Sequence, residues 1–194
     1  MRSDATRNRE AILRATEELL AAHGAEHISL DRVAAAAGVG KGTLFRRFGS
    51  RTGLFQELLA ERAAALALAI ETPGSALGPG TPPWDRLPAF LDELCELAER
   101  NLALFAAHER ACAEDKYRDP TYLRWHAHVT TLIAEARPEG GLDAEFAAHA
   151  LLGCFDADLA RHVMADGGAA RLKSAVRGLA ETLLQGAATP RTRR

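Results

Sequence analysis

Eight residues near the front of the chain, Lys41-Gly42-Thr43-Leu44-Phe45-Arg46-Arg47-Phe48, crowd three cations and a Gly-Thr pair onto about two helical turns. Helical spacing puts Leu44 and Phe48 on one side and Gly42, Thr43 and Arg46 on the other. The chemistry such a face offers is hydrogen bonding in a groove of duplex nucleic acid. Arginine presents two parallel donors that match a guanine edge, threonine bonds a base or touches a thymine methyl, and glycine lets the backbone approach closely. Arg46 is the best base reader of the set. Arg32, Lys41, Arg47 and Arg51 flank the face, where they can neutralise phosphates and fix the register without reading sequence. Ser29, at the head of the preceding helical stretch, joins the candidate DNA-contacting residues.

Such residues need a rigid mount. Ser29 is a good N-cap, with Ile28 before it and Val33 placed to close a hydrophobic staple, so a short helix is expected over 30–37. Gly38-Val39-Gly40 breaks the pattern before it resumes over 41–48. Ala34 has to be small where one helix crosses the other, Gly38 can take the left-handed turn, and Val39 with Leu44 seals the joint. Residues 28–48 therefore read as a helix-turn-helix. An ordinary helix hairpin accounts for Gly38, Val39 and Leu44 but leaves the cations and the Gly-Thr pair unexplained. Upstream, Ile12, Ala15, Leu19 and Ala22 recur at helical spacing until His23-Gly24 stops a first helix. Downstream, Ser50 caps a fourth helix over 50–70, with Leu54, Phe55, Leu58 and Leu59 on its apolar side.

Ser29-Leu30-Asp31-Arg32-Val33-Ala34, then Gly38-Val39-Gly40-Lys41-Gly42-Thr43-Leu44-Phe45-Arg46-Arg47-Phe48 and Ser50-Arg51-Thr52-Gly53-Leu54-Phe55, resemble the DNA-binding signature of TetR-type (tetracycline-repressor-like) transcriptional regulators. Where that family often has Ser or Thr, Tyr, His and Lys, this chain has Gly40, Phe45, Arg47 and Arg51. Both arginines keep the positive charge, whereas Phe45 lacks a hydroxyl that would donate to a phosphate. The resemblance implies a repressor that binds operator DNA as a homodimer and is released by a small-molecule effector, with no enzymatic activity and no cofactor. It implies further that two recognition helices sit at major-groove spacing, about 34 to 36 Å apart. The later helices would enclose the effector, and the last two would pair with those of a second copy.

The rest of the chain agrees with an all-α fold. Aromatics are only 6% beside heavy use of Ala and Leu, which favours helices over strands. The net charge of −2 conceals a basic front: residues 1–62 carry ten Lys/Arg against eight Asp/Glu, the remainder fourteen against eighteen. Cys95, Cys112 and Cys154 cannot all pair within the chain, which points to a reducing cytoplasm rather than a disulfide scaffold. No apolar run approaches the roughly 20 residues of a membrane span, so no membrane partner is expected. Residues 71–83 concentrate four prolines and three glycines and read as a mobile loop. Beyond it, helices are expected over 84–114, 120–136, 142–165 and 168–186. The expected organisation is a DNA-binding domain over 1–50, helix 50–70 as connector and lever, and a ligand-binding and dimerisation domain over 84–188.

Within that second domain, Leu91, Leu94, Cys95, Leu102 and Phe105, together with Tyr122, Trp125, His126, Val129 and Phe155, are the candidate pocket lining. The stripe Leu172, Val176, Leu179 and Leu183 is the candidate dimer interface. His108 and Cys112 share a helix face, half of a metal site, but no third ligand stands at a motif spacing and no metal is expected. Two other classes compete. A small helical enzyme or metal sensor using Cys95, His108 and Cys112 would carry stoichiometric zinc, and a helical adaptor would show no salt-dependent DNA affinity.

Overall fold

The computed structural model describes residues 2–112, 116–138 and 141–185, and every regular element among them is helical. The α-helices are α1 (Arg2–His23), α2 (Leu30–Ala37), α3 (Lys41–Phe48), α4 (Arg51–Arg62), α5 (Ala64–Glu71), α6 (Pro83–Arg100), α7 (Leu102–Ala111), α8 (Pro120–Ala136), α9 (Ala144–Gly153), α10 (Ala157–Ala165) and α11 (Gly168–Gln185). The fold is all-α, with an N-terminal helix-turn-helix domain followed by a helical C-terminal domain. Residues 186–188 of the expected second domain lie outside the described residues.

The chain forms two compact units, one from Met1–Ala63 with Asn101–Thr121, the other from Ala64–Arg100 with Tyr122–Arg194. In the first, α1 packs on α2, α2 on α3, α3 on α4 and α4 on α7. Its core holds Ile12, Leu13, Ala15 and Leu20 of α1, Val33 and Ala34 of α2, Leu44 and Phe48 of α3, and Leu54, Phe55, Leu58 and Leu59 of α4. The face of α1 is turned slightly from the expected one, since Leu19 is only half-buried and Ala22 exposed. In the second unit α11 lies along α6 and packs also on α9 and α10. Arg177 pairs with Asp92, and Lys173 lies 3.5 Å from Glu96, so charge lines the edge of the α6–α11 seam.

Three expected helices are broken. The connector divides at Ala63 into α4 and α5, the stretch 84–114 divides at Asn101 into α6 and α7, and 142–165 divides around Cys154 into α9 and α10. No proline or glycine marks the first two breaks. The second has a physical sign in packing: α6 buries a stripe at helical spacing, whereas α7 buries Leu104, Phe105, Ala106, Ala107 and His108 in succession. A helix enclosed on every side has no amphipathic face to detect. The third break did carry a local signal, because the Asp156 carboxylate accepts from the N–H groups of Asp158 and Leu159 and caps α10.

The segment expected as a mobile loop is held by hydrogen bonds within itself and from α6. Thr81 Oγ1 donates to the Ser75 carbonyl at 3.0 Å, Arg86 Nε donates to the Leu77 carbonyl at 3.0 Å, and the Leu77 side chain is buried. Leu172 and Val176 also depart from expectation, each 2% exposed inside the unit's own core. Of the expected interface stripe, Leu179 is exposed and Leu183 half-buried. Periodicity shows that a helix has an apolar face, not whether that face meets the same chain or another.

Candidate nucleic-acid interface

The joint between α2 and α3 is built from backbone chemistry that the sequence encodes locally. Ser29 Oγ accepts the Arg32 N–H at 3.2 Å and starts α2. At its end Gly38 stands at φ +66°, and the Val39 N–H reaches the Ala34 carbonyl at 3.0 Å while the Gly38 N–H reaches that of Ala35 at 3.3 Å. This is a Schellman closure, which needs a left-handed residue where glycine costs least. Ile28 and Val33 are both buried, as a staple requires, while Val39 is half-buried. Gly40 then opens α3 without a side-chain cap.

Leu44 is fully buried and Phe48 nearly so, which fixes the rotation of α3 about its axis. The opposite side carries Gly42 and Arg46 exposed and Thr43 half-buried, with Lys41 and Arg47 exposed at its flanks. Phe45 is 60% exposed, an apolar ring in water at the margin of the recognition face. Among the described residues, and apart from its chain neighbours and its own helix backbone, nothing comes within 4 Å of where a side chain at Gly42 would begin. Internal packing therefore gives no reason for a glycine that weakens the helix by about 0.5 to 1 kcal/mol, whereas close approach of another molecule does.

The cations around this face are engaged but loosely. Lys41 Nζ lies 2.7 Å from Asp31, Arg32 donates to the His27 carbonyl at 3.0 Å, and Arg46 Nη2 lies 3.4 Å from Thr43 Oγ1. Arg47 is 3.9 Å from Glu57, a carboxylate that Arg9 already holds at 2.8 Å. Exposed pairs of this kind contribute about 0 to 1 kcal/mol, so a phosphate can displace the carboxylates. Sequence reasoning missed Asp31 and Glu57, which orient the arginine and lysine side chains before any ligand arrives. It missed Gly53 as well. A Cβ there would stand 2.1 Å from the Phe48 carbonyl oxygen, so this glycine is what lets α4 begin directly behind α3. Ser50 Oγ accepts the Gly53 N–H at 3.0 Å and caps that start, with Arg51 exposed beside it.

The ten candidate pocket residues fall in both compact units. Leu102, half-buried, and Phe105, buried, belong to the first compact unit, and the other eight to the second. There Leu91, Leu94, Cys95, Trp125, Val129 and Phe155 are buried, with burial pushing the Cys95 thiol up to about 12. Tyr122 and His126 are half-exposed and engaged with α9: His126 Nε2 lies 3.1 Å from the Glu145 carbonyl, the Tyr122 ring stacks on His149, and the His126 ring meets His149 tilted at 34°. A cavity of about 330 Å³ in the second unit is lined instead by Trp84, Pro88, Arg177, Glu181 and Leu184 among others. One of about 170 Å³ in the first unit is lined by Ala25, Arg51, Phe55, Ala107 and Arg110. Among the described residues no helix is long and apolar enough to cross a membrane.

Residues 12–58 match the family described as bacterial regulatory proteins, tetR family. An HTH-type transcriptional regulator of Staphylococcus aureus (strain USA300) is 41% identical over 54 residues, which are 28% of this chain and 29% of that protein. The chain thus matches well under a third of the length of its curated relatives. Over nearly the whole chain the fold is that of FadR from Thermus thermophilus, a TetR family repressor solved with lauroyl-CoA, at 20% identity and TM-score 0.65, covering 94% of this chain and 98% of that one. FadR from Bacillus subtilis, solved with stearoyl-CoA, has 17% identity and TM-score 0.66, covering 92% and 98%.

Proposed function

We propose that this chain, a TetR-type regulator whose DNA-binding domain takes in residues 12–58, represses transcription as a ligand-responsive homodimer. The observation that carries the reading is the exposed face of α3. It presents Gly42, Thr43 and Arg46 while Leu44 and Phe48 are buried beneath it. In this reading Arg46 reads a guanine edge and Thr43 a neighbouring base, while Ser29, Arg32, Lys41, Arg47 and Arg51 hold phosphates. Two copies place two such helices in successive major grooves, about 34 to 36 Å apart. The protein works in the cytoplasm and performs no chemistry on its ligand.

The effector binds in the second unit, among the inner faces of α6 and α8 that carry Leu91, Leu94, Cys95, Trp125 and Val129. Acyl-CoA thioesters are the first class to screen, because two proteins of the same fold hold them and an acyl chain suits an apolar interior. Linkage sets the magnitude. An effector that binds the DNA-incompetent state better by about 2 to 3 kcal/mol weakens operator affinity roughly 30- to 150-fold.

The experiment is a fluorescence-anisotropy titration of the purified chain against DNA flanking its own gene, across a salt series and against random duplex. Expected are a linear fall of log affinity with log salt and a preference for the flanking DNA of at least about a thousandfold. Lauroyl-CoA added to the complex is expected to release the DNA. Equal affinity for both duplexes would remove the operator reading, and a complex indifferent to acyl-CoA would remove that effector class alone.

A further inference from the structure

We propose that His108, Cys112 and Asp119 form a binding site for a divalent transition metal of the zinc class. Among the described residues their ligand atoms converge, all lying within 4.8 Å of one another. Sequence spacing reveals only the first two, four residues apart. Asp119 follows the short 3-10 turn Lys116–Arg118, which sets its carboxylate in front of them. Cys95, the other thiol considered with this pair, lies in the second compact unit.

The three groups meet at a point rather than along a relay. His108 Nε2 lies 3.0 Å from Asp119 Oδ2 and 3.5 Å from Cys112 Sγ. A single imidazole nitrogen can donate to the carboxylate or accept from the thiol, but not both. A Cys-His-Asp nucleophile needs the sulfur on one ring nitrogen and the carboxylate on the other, so this geometry does not make one. One cation satisfies all three, since a neutral imidazole, a thiolate and a carboxylate can each aim a lone pair at it. Two of the three separations, from the imidazole nitrogen to the carboxylate and to the thiol, have the spacing of such a site. Tetrahedral bonds of about 2.0 to 2.1 Å to nitrogen and oxygen and about 2.3 Å to sulfur put N and O about 3.3 Å apart and N and S about 3.6 Å apart.

Outer partners that orient a metal-bound carboxylate are in place. The Thr121 N–H donates to Asp119 Oδ1 at 2.8 Å, and Gln56 Nε2 of α4 donates to Oδ2 at 3.0 Å. His108 and Asp119 are 7% and 4% exposed and Cys112 is half-buried, so the ligands are sheltered yet reachable. Three protein ligands among the described residues leave the fourth corner of a tetrahedron to a further donor. The site does not depend on the DNA-binding reading, and its test involves no DNA.

The test strips the full chain with EDTA and titrates it with Co²⁺, the spectroscopic substitute for zinc. Expected are saturation at one ion per chain, a thiolate-to-cobalt charge-transfer band in the near ultraviolet, and the strong visible bands of a four-coordinate ion. Zinc added afterwards should bleach both and raise Tm. Cys112→Ser should lose the charge-transfer band, Asp119→Asn should bind more than about tenfold more weakly, and Cys154→Ser should behave as the parent, with circular dichroism reporting folding. A parent protein with no charge-transfer band overturns the proposal, as does a band that persists in Cys112→Ser. Should Cys112→Ser not fold, alkylation of Cys112 in the parent, mapped by mass spectrometry, takes its place. Protection by zinc supports the site, and equal labelling with and without zinc overturns it.

Discussion

Arg46 rests on the exposed side of α3 with its Nη2 3.4 Å from Thr43 Oγ1, so the guanidinium already lies over the surface proposed to face base edges. Arg51 is also exposed but stands at the head of α4, outside that surface. The two arginines should therefore fail in different ways. Arg46→Ala is expected to cost about 1 to 3 kcal/mol on operator DNA and to relax preference at one base pair of each half-site. Arg51→Ala should weaken all duplexes alike. A titration against single-base operator variants separates them, and a uniform loss for Arg46→Ala would remove its role as a reader.

At the scale of elements, two joints carry measurable stability. The α3–α4 corner depends on Gly53, because an added methyl would stand 2.1 Å from the Phe48 carbonyl oxygen and backbone cannot swing aside as a flexible side chain can. Gly53→Ala is expected to lose about 1 to 3 kcal/mol, seen as a lower denaturant midpoint with an unchanged slope. The α6–α8 contact holds His128, whose ring meets the Phe90 ring edge-on at 5.0 Å and whose Nε2 is buried without a hydrogen-bonding partner among the described residues. Burial, helped by Arg86, lowers its pKa from 6.5 to about 4. Between those values the unfolded chain binds more protons than the folded one, so this residue makes stability fall as pH falls from about 6.5 to 4. With the ring partly reached by solvent, the loss is on the order of 2 kcal/mol. His128→Leu should flatten that part of the Tm-against-pH curve, and an unchanged acid limb would assign the effect to other groups.

For the whole molecule, the proposed homodimer has to be mediated by side chains that one chain leaves uncovered. Leu172 and Val176 are excluded by their burial within the monomer, whereas Leu179 of α11 is 40% exposed and Leu159 of α10 is 45% exposed. A glutamate at an exposed site leaves the monomer core intact and puts a charge into any interface formed there. Leu179→Glu is expected to give a folded monomer by light scattering and to weaken operator binding, because two half-sites are then no longer held by one particle. A folded variant that remains dimeric would move the interface off this face of α11.

Features that neighbouring residues settle among themselves could be read without the fold. The bounds of α2 and α3, at 30–37 and 41–48, were legible because a serine cap, a left-handed glycine and two short apolar patterns act over a few residues. The outward face of α3 followed from Leu44 and Phe48 alone. The fold selects which surface each apolar stripe meets, and so Leu172 and Val176 are buried inside the unit where α11 packs on α6, α9 and α10. It placed the breaks at Ala63 and Asn101, where no residue type forbids a helix and only packing selects the bend. It also set Asp119 against His108, eleven positions away. Caps and turns are contests between a residue and its own backbone, settled locally. The partner of a buried face or of a buried carboxylate is settled by chain closure, which brings together groups whose separation in sequence carries no periodic trace.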